Sequence, residues 1–153
     1  MKNALCDKDP SVMACALNYF LEAVKKTPGN YKDLTNHFIV ILKQIIDHRL
    51  PRDYDYHRIP APWIQTKLLE ILSCLGQEDE QTSKQMYEII TTVLKRSDDS
   101  AINVGYALVY QCLRTITQIF PSQELIDLAT LTISRFLSSQ SKNLKYMGIM
   151  GLI

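Results

Sequence analysis

Apolar residues recur at helical spacing in one block after another along this chain, and the blocks themselves recur. Trp63-Ile64-Gln65-Thr66-Lys67-Leu68-Leu69, set above Asn103-Val104-Gly105-Tyr106-Ala107-Leu108-Val109 and Asn143-Leu144-Lys145-Tyr146-Met147-Gly148-Ile149, aligns its apolar positions column by column at a period of about 40 residues. A fourth copy, Ser11-Val12-Met13-Ala14-Cys15-Ala16-Leu17, fits the same template when about 12 extra residues are allowed ahead of Trp63. A period of this length predicts helical hairpins stacked in an open array rather than a closed bundle.

Within the array the helix boundaries follow from caps and breakers. Asp9 as N-cap and Pro10 at the first helical position open a helix to about Lys26, ended by Pro28-Gly29, with an apolar stripe of Val12, Met13, Ala16, Leu17, Phe20 and Val24. A second helix is expected from about Lys32 to His48, burying Leu34, Phe38, Leu42, Ile45 and Ile46. The third, Pro62 to Leu75, should bury Trp63, Ile64, Leu68, Leu69, Ile71 and Leu72, with Gly76 in the left-handed position that closes it. A fourth follows the acidic run Glu78-Asp79-Glu80 and reaches about Lys95 on a stripe of Met86, Ile89, Ile90, Val93 and Leu94. Asp98, Asp99 and Ser100 offer the N-cap of a fifth, Ala101 to Phe120, whose wide apolar surface suits the centre of the stack. After Pro121, Ser122 can cap a sixth to about Leu137, and a seventh from about Lys142 runs to the end of the chain. Sustained period-two alternation is missing, so no strands are expected.

The irregular stretch is Leu50 to Pro62. Pro51, Pro60 and Pro62 enclose Asp53, Tyr54, Asp55 and Tyr56, which reads as an extended insertion between the first two repeats. At the two ends, Ala4-Leu5-Cys6 resembles the tail of an earlier helix, and Met147, Ile149, Met150 and Leu152 form an apolar face with no following helix. On this reading residues 1–153 are a single internal slice of a longer solenoid, with an inserted loop at about 50–62.

Composition narrows the function. Seventeen basic against sixteen acidic residues leave a formal charge of +1, which gives no electrostatic reason to expect nucleic acid or an anionic membrane surface. The basic pairs Lys25-Lys26 and Lys95-Arg96 fall at expected helix ends, where they complement the helix dipole. Cys6, Cys15, Cys74 and Cys112 are far apart and no secretory leader opens the sequence, which favours reduced thiols and a cytoplasmic setting. No apolar run approaches the roughly 20 residues a membrane helix needs.

Candidate chemistry is sparse. His37, His48 and His57 lack the i, i+4 pairing of a helical zinc site, and Asp53-x-Asp55-x-His57 lacks the other ligands and the glycine of a calcium loop, so it reads as a solvated loop tip. There is no Gly-x-Ser-x-Gly and no glycine-rich phosphate loop. Gly105, Gly148 and Gly151, inside expected helices, point to close helix packing. Tyr31-Lys-Asp-Leu34, Tyr56-His-Arg-Ile59, Tyr87-Glu-Ile-Ile90 and Tyr146-Met-Gly-Ile149 match a tyrosine-x-x-bulky sorting signal, but of these only the segment at Tyr56 lies in an expected loop. No catalytic residue, metal or cofactor is expected. The surface left for partners is the insertion, with Tyr54, Tyr56, His57 and Arg58 displayed between stiffening prolines.

Leu5-Cys6-Asp7-Lys8-Asp9-Pro10, Ile41-Leu42-Lys43-Gln44, Pro60-Ala61-Pro62-Trp63, Thr82-Ser83 with Met86-Tyr87, and Asn143-Leu144-Lys145-Tyr146 together resemble the trunk of the large adaptin family. Within it they are most similar to the epsilon branch, with gamma next. The resemblance implies an all-α, right-handed α-solenoid of HEAT/armadillo-like hairpins with about seven helices. It further implies a scaffold in a heterotetrameric adaptor complex, beside a small sigma-type subunit, a beta-type large subunit and a medium chain. Recruitment by an Arf-family GTPase to trans-Golgi network and vesicle membranes would make the membrane association peripheral. A solenoid of the nuclear-transport or phosphatase-scaffold kind is the alternative, but the asparagine or acidic ladder expected of one is not seen.

Overall fold

Asp9 opens the first helix as its side chain foretells: the carboxylate accepts the Ser11 N–H at 2.8 Å, and Pro10 presets the first helical turn. In the computed structural model, residues 2–100 and 102–152 are described, with the side chains of Lys2, Cys6 and Asp99 left aside. Helix α1 spans Pro10–Lys26, α2 Thr35–Ile46, α3 Pro62–Gly76, α4 Glu80–Asp99, α5 Asn103–Gln118, α6 Gln123–Ser138 and α7 Lys142–Met150. Helices α1, α3 and α5 lie side by side in one layer, α2 and α4 back them in a second, and α6 pairs with α7 as a further hairpin joined through α5. This is the all-α stack of hairpins the period predicts.

The repeat holds at the level of burial. Ile64 and Val104, Leu68 and Leu108, and Leu69 and Val109 occupy matching columns, and all six are buried. The column headed by Trp63 behaves differently: the indole is 60 % exposed, as its column mates Asn103 and Asn143 are exposed too. Trp63 therefore does not belong to the core, and the column it heads faces outward in all three repeats. Val12 likewise points outward at 39 % exposure, while the rest of its stripe is buried.

Several boundaries differ from the pattern for identifiable reasons. Pro28–Leu34 winds as a 3₁₀ segment, because Pro28 lacks an N–H and Gly29 and Asn30 are poor helix formers, so α2 begins at Thr35 and ends at Ile46. Ala4-Leu5-Cys6 lies in a 3₁₀ turn, Lys2–Cys6, with Leu5 buried. Gly76 stays helical. Glu78 takes the left-handed conformation instead, at φ 55°. What Gly76 provides is clearance, since a Cβ there would stand 2.8 Å from Ile119 Cγ2.

Helix α4 runs one turn beyond Lys95, and Arg96 serves another helix. Its guanidinium donates to the Ile46 carbonyl at the end of α2 and lies 3.5 Å from Asp47. Ser100 closes α4 by bonding back to Ser97 O, so it does not cap α5, whose N-cap is Ile102 without a side-chain bond. The expected start at Ala101 lies outside the described residues, and α5 stops at Gln118, short of Phe120. The helix at the centre of the stack is α3, between α1 and α5 with α2 and α4 behind it. At the far end α7 terminates at Met150, with Gly151 N–H bonded to Met147 O at 3.0 Å. Met147 is buried there while Ile149 and Leu152 are exposed, so the expected single apolar face is split.

Candidate interaction surface

The chain leaves α2 through a left-handed His48 (φ 56°), whose N–H bonds Ile45 O at 2.9 Å while Arg49 N–H reaches Gln44 O at 3.0 Å. That pair of bonds is the Schellman closure, with histidine where glycine is usual. A 3₁₀ turn, Arg52–Tyr54, then leads into two short antiparallel strands, β1 Asp55–Tyr56 and β2 Ile59–Pro60, in which Tyr56 pairs with Ile59. His57 and Arg58 form the connection with φ 49° and 70°, the positive pair that defines a type I′ turn. The expectation of no strands is thus corrected, whereas the tip at His57 is exposed as expected. Two-residue strands contain a single alternation, and the turn lacks the Asn-Gly signature, so neither signal was present.

The hairpin is held from both sides. Tyr54, half-buried, places its hydroxyl 2.8 Å from Ser11 Oγ and donates to Asp9 Oδ1 at 3.3 Å, tying the insertion to the start of α1. The backbone N–H of Ser11, which also bonds this carboxylate, lowers the Asp9 pKa. On the other side the buried Gln65 amide donates to Pro60 O at 2.6 Å, and Ala61 N–H bonds Tyr54 O at 3.1 Å. Ile59 and Ala61 are buried beneath.

Three of the four expected partner residues meet at the exposed tip. Tyr56, 49 % exposed, has the His57 ring edge-on at 4.5 Å and the Trp63 ring at 5.8 Å with a 42° tilt. Arg58 extends beside them, whereas Tyr54 faces α1. Between the tip and α4 lies a cleft of about 590 Å³ lined by His48, His57, Arg58 and Arg96 over Ile59, Pro60 and Val93. Trp63 and His48 are the members that the residue pattern missed, although the polar column of Asn103 and Asn143 marked position 63 as outward.

The remaining sequence candidates do not converge. Among the described residues no group of three His, Cys, Asp or Glu side chains is placed to hold a metal ion. Asp55 lies 3.8 Å from His48 Nδ1 instead. The Tyr56-to-Ile59 segment is closed into the turn with Ile59 buried, so it is not available as an extended signal. No helix among the described residues is long and apolar enough to cross a membrane.

Residues 1–152 match the family model described as the adaptin N terminal region. The chain is 43 % identical over 151 residues to the mouse AP-4 complex subunit epsilon-1, covering 99 % of this chain and 13 % of that protein. It is 44 % identical over 151 residues to the AP-4 complex subunit epsilon of Arabidopsis thaliana, again covering 99 % of this chain and 16 % of the relative. The AP-1 complex subunit gamma of Dictyostelium discoideum is more distant, 28 % identical over 97 % of this chain and 17 % of its own length. The chain thus spans about one seventh of the length of its epsilon relatives. Stacked hairpins and a family match over nearly every residue agree: the chain belongs to the adaptin N-terminal family.

Proposed function

We propose that this chain acts as a structural and protein-interaction scaffold of a heterotetrameric adaptor complex that sorts cargo into transport vesicles, with no catalytic role. The observation that carries the reading is likeness to epsilon subunits of the AP-4 complex along 99 % of the chain. The open stack supports it, since such arrays offer long surfaces to partners. The partners expected are a small sigma-type subunit, a beta-type large subunit and a medium chain. An Arf-family GTPase would recruit the assembly to the cytoplasmic face of trans-Golgi network and vesicle membranes, which makes membrane association peripheral. The insertion is the partner-facing element, with Tyr56, His57 and Arg58 outward and Tyr54 as its anchor.

Co-expression with candidate small chains tests the scaffold. Stable co-purification with a sigma-type chain is expected, and failure with every candidate sinks the adaptor reading. Because Ile59 and Ala61 are buried, substitution at the tip is a cleaner probe of the insertion than its deletion. Arg58→Glu should keep the fold and weaken one partner contact, and unchanged assembly with every partner would reduce the insertion to a cover for the first hairpin.

A further inference from the structure

We propose that residues 48–61 form a latched strap, which swings off the helices as a unit about His48 and Ala61 while the stack stays folded, and so gates the cleft beside α4. The strap makes one wall of that cleft through His57, Arg58, Ile59 and Pro60, against Val93 and Arg96 of α4. This property goes beyond the scaffold reading and does not depend on it.

The closed strap is strained. Among the described residues five that are not glycine have positive φ, and four of them lie here: His48 at 56°, His57 at 49°, Arg58 at 70° and Ala61 at 37°. Left-handed backbone is unfavourable for a residue with a Cβ and persists only where surrounding contacts impose it. Two of the four stand at the ends of the strap, His48 where the chain leaves α2 and Ala61 where it enters α3. Ala61 is the sharper case. The ring of Pro62 drives the residue before it towards extended backbone, so position 61 is disfavoured twice, and alanine has no polar side chain to compensate. Lifting the strap lets both ends return to ordinary backbone.

The contacts that oppose this strain are few and local. No residue from 48 to 58 is buried, so buried anchorage is confined to Ile59, Pro60 and Ala61. The latch is Tyr54, whose hydroxyl stands 2.8 Å from Ser11 Oγ and donates to Asp9 Oδ1 at 3.3 Å, in both cases where water can take its place. The Gln65 amide donating to Pro60 O at 2.6 Å and the Ala61 N–H donating to Tyr54 O at 3.1 Å complete the closure. On either side α2 and α3 are held by far wider apolar faces. The strap can therefore part from the helices before they part from one another.

Native-state hydrogen exchange tests the strap, read on the purified protein in increasing urea below its unfolding transition. The reporters are the amides of Tyr54 and Ala61, both bonded within the strap, against those of Leu68 and Leu69 inside α3. The strap amides should be protected, yet exchange at least about tenfold faster than those of α3 and with almost no urea dependence, since lifting a strap exposes little surface. Tyr54→Phe should speed strap exchange about two- to tenfold, the worth of one hydrogen bond. Ala61→Gly should slow it about two- to fivefold, because glycine holds left-handed backbone without the strain. Circular dichroism of both variants should stay native. Strap amides that exchange only together with α3 and share its urea dependence, or that show no protection, overturn the proposal. So does a Tyr54→Phe strap that exchanges at the native rate, or an Ala61→Gly strap that exchanges no more slowly. The measurement needs no partner, so a failed co-purification leaves the strap standing, and a failed strap leaves the scaffold reading standing.

Discussion

Replacing Gly105 by alanine sets two opposing effects against each other. In a helix interior alanine is favoured over glycine by about 1 kcal/mol. At Gly105, however, a Cβ would stand 1.8 Å from Ser100 Oγ and 2.6 Å from the backbone oxygen of Ser97. The serine hydroxyl can rotate away, giving up its 2.6 Å bond to Ser97 O, a loss of about 1 kcal/mol. The Ser97 carbonyl belongs to the last turns of α4 and yields only if one helix shifts against the other, and overpacking of this kind costs about 1–3 kcal/mol. The net expectation for Gly105→Ala is a loss of about 1–3 kcal/mol, or roughly 2–10 °C in melting temperature for a domain of this size. Urea unfolding followed by circular dichroism, with an unchanged m-value, measures it. Gly29→Ala is the control, because nothing lies within 4 Å of a Cβ at that position. A Gly105→Ala protein as stable as the native one, or a Gly29→Ala protein equally destabilised, would refute the argument.

Three further outcomes follow from the packing. Leu68, fully buried, should lose about 2–5 kcal/mol on replacement by alanine, whereas Trp63→Ala should lose less than about 1 kcal/mol; equal losses in chemical unfolding would return Trp63 to the core. Ser83→Ala removes one hydroxyl that donates to Gly76 O at 2.8 Å and accepts from Phe120 N at 3.1 Å, so about 1–3 kcal/mol should be lost, and a Ser83→Ala protein of native stability would show that neither bond matters. The hydrogen bond from Lys32, joined by the backbone N–H of Thr82, holds the Asp79 carboxyl at about 2, below its ordinary 3.8. Its stabilisation is therefore complete above the unfolded value and is lost as pH falls from about 4 towards 2; the stability gap between the native protein and Asp79→Asn, measured by unfolding at a series of pH values, should close over that interval, and a constant gap would refute the assignment.

How much of this was legible in the residues depended on the range of the interaction that decides each feature. Asp9, Pro10 and the stripe through Leu17 and Phe20 act within one helix, and α1 appears where they place it. The repeat spacing is equally local to each hairpin and predicted the stack. Arg96 looked like a helix-end cation but answers to Ile46, fifty residues earlier, and nothing near position 96 in sequence announces that. Gly76 resembled a cap, yet the reason for a glycine there is Ile119, on the far side of α4 and α5. At the insertion, Tyr56 and Pro51 are exposed as the composition suggests but Pro60 and Pro62 are buried, and the hairpin arises from tethers to Ser11, Asp9 and Gln65 that no run of adjacent residues encodes.

The polar bonds that cross between hairpins carry a consequence for how the stack comes apart. Arg96 of α4 completes the end of α2, Lys32 ahead of α2 steadies the Asp79 that starts α4, and Thr115 of α5 bonds Leu69 O in α3 at 3.2 Å. Backbone oxygens at the end of α2 and within α3 thus find donors on a neighbouring hairpin. Peeling one away would strand hydrogen-bonding groups as well as bare apolar surface, which raises the coupling between adjacent repeats over that of hydrophobic contact alone. Neighbouring hairpins should therefore melt and reform together, and a pull applied at one place would be felt as cooperative strain along the array rather than absorbed by a single loose turn.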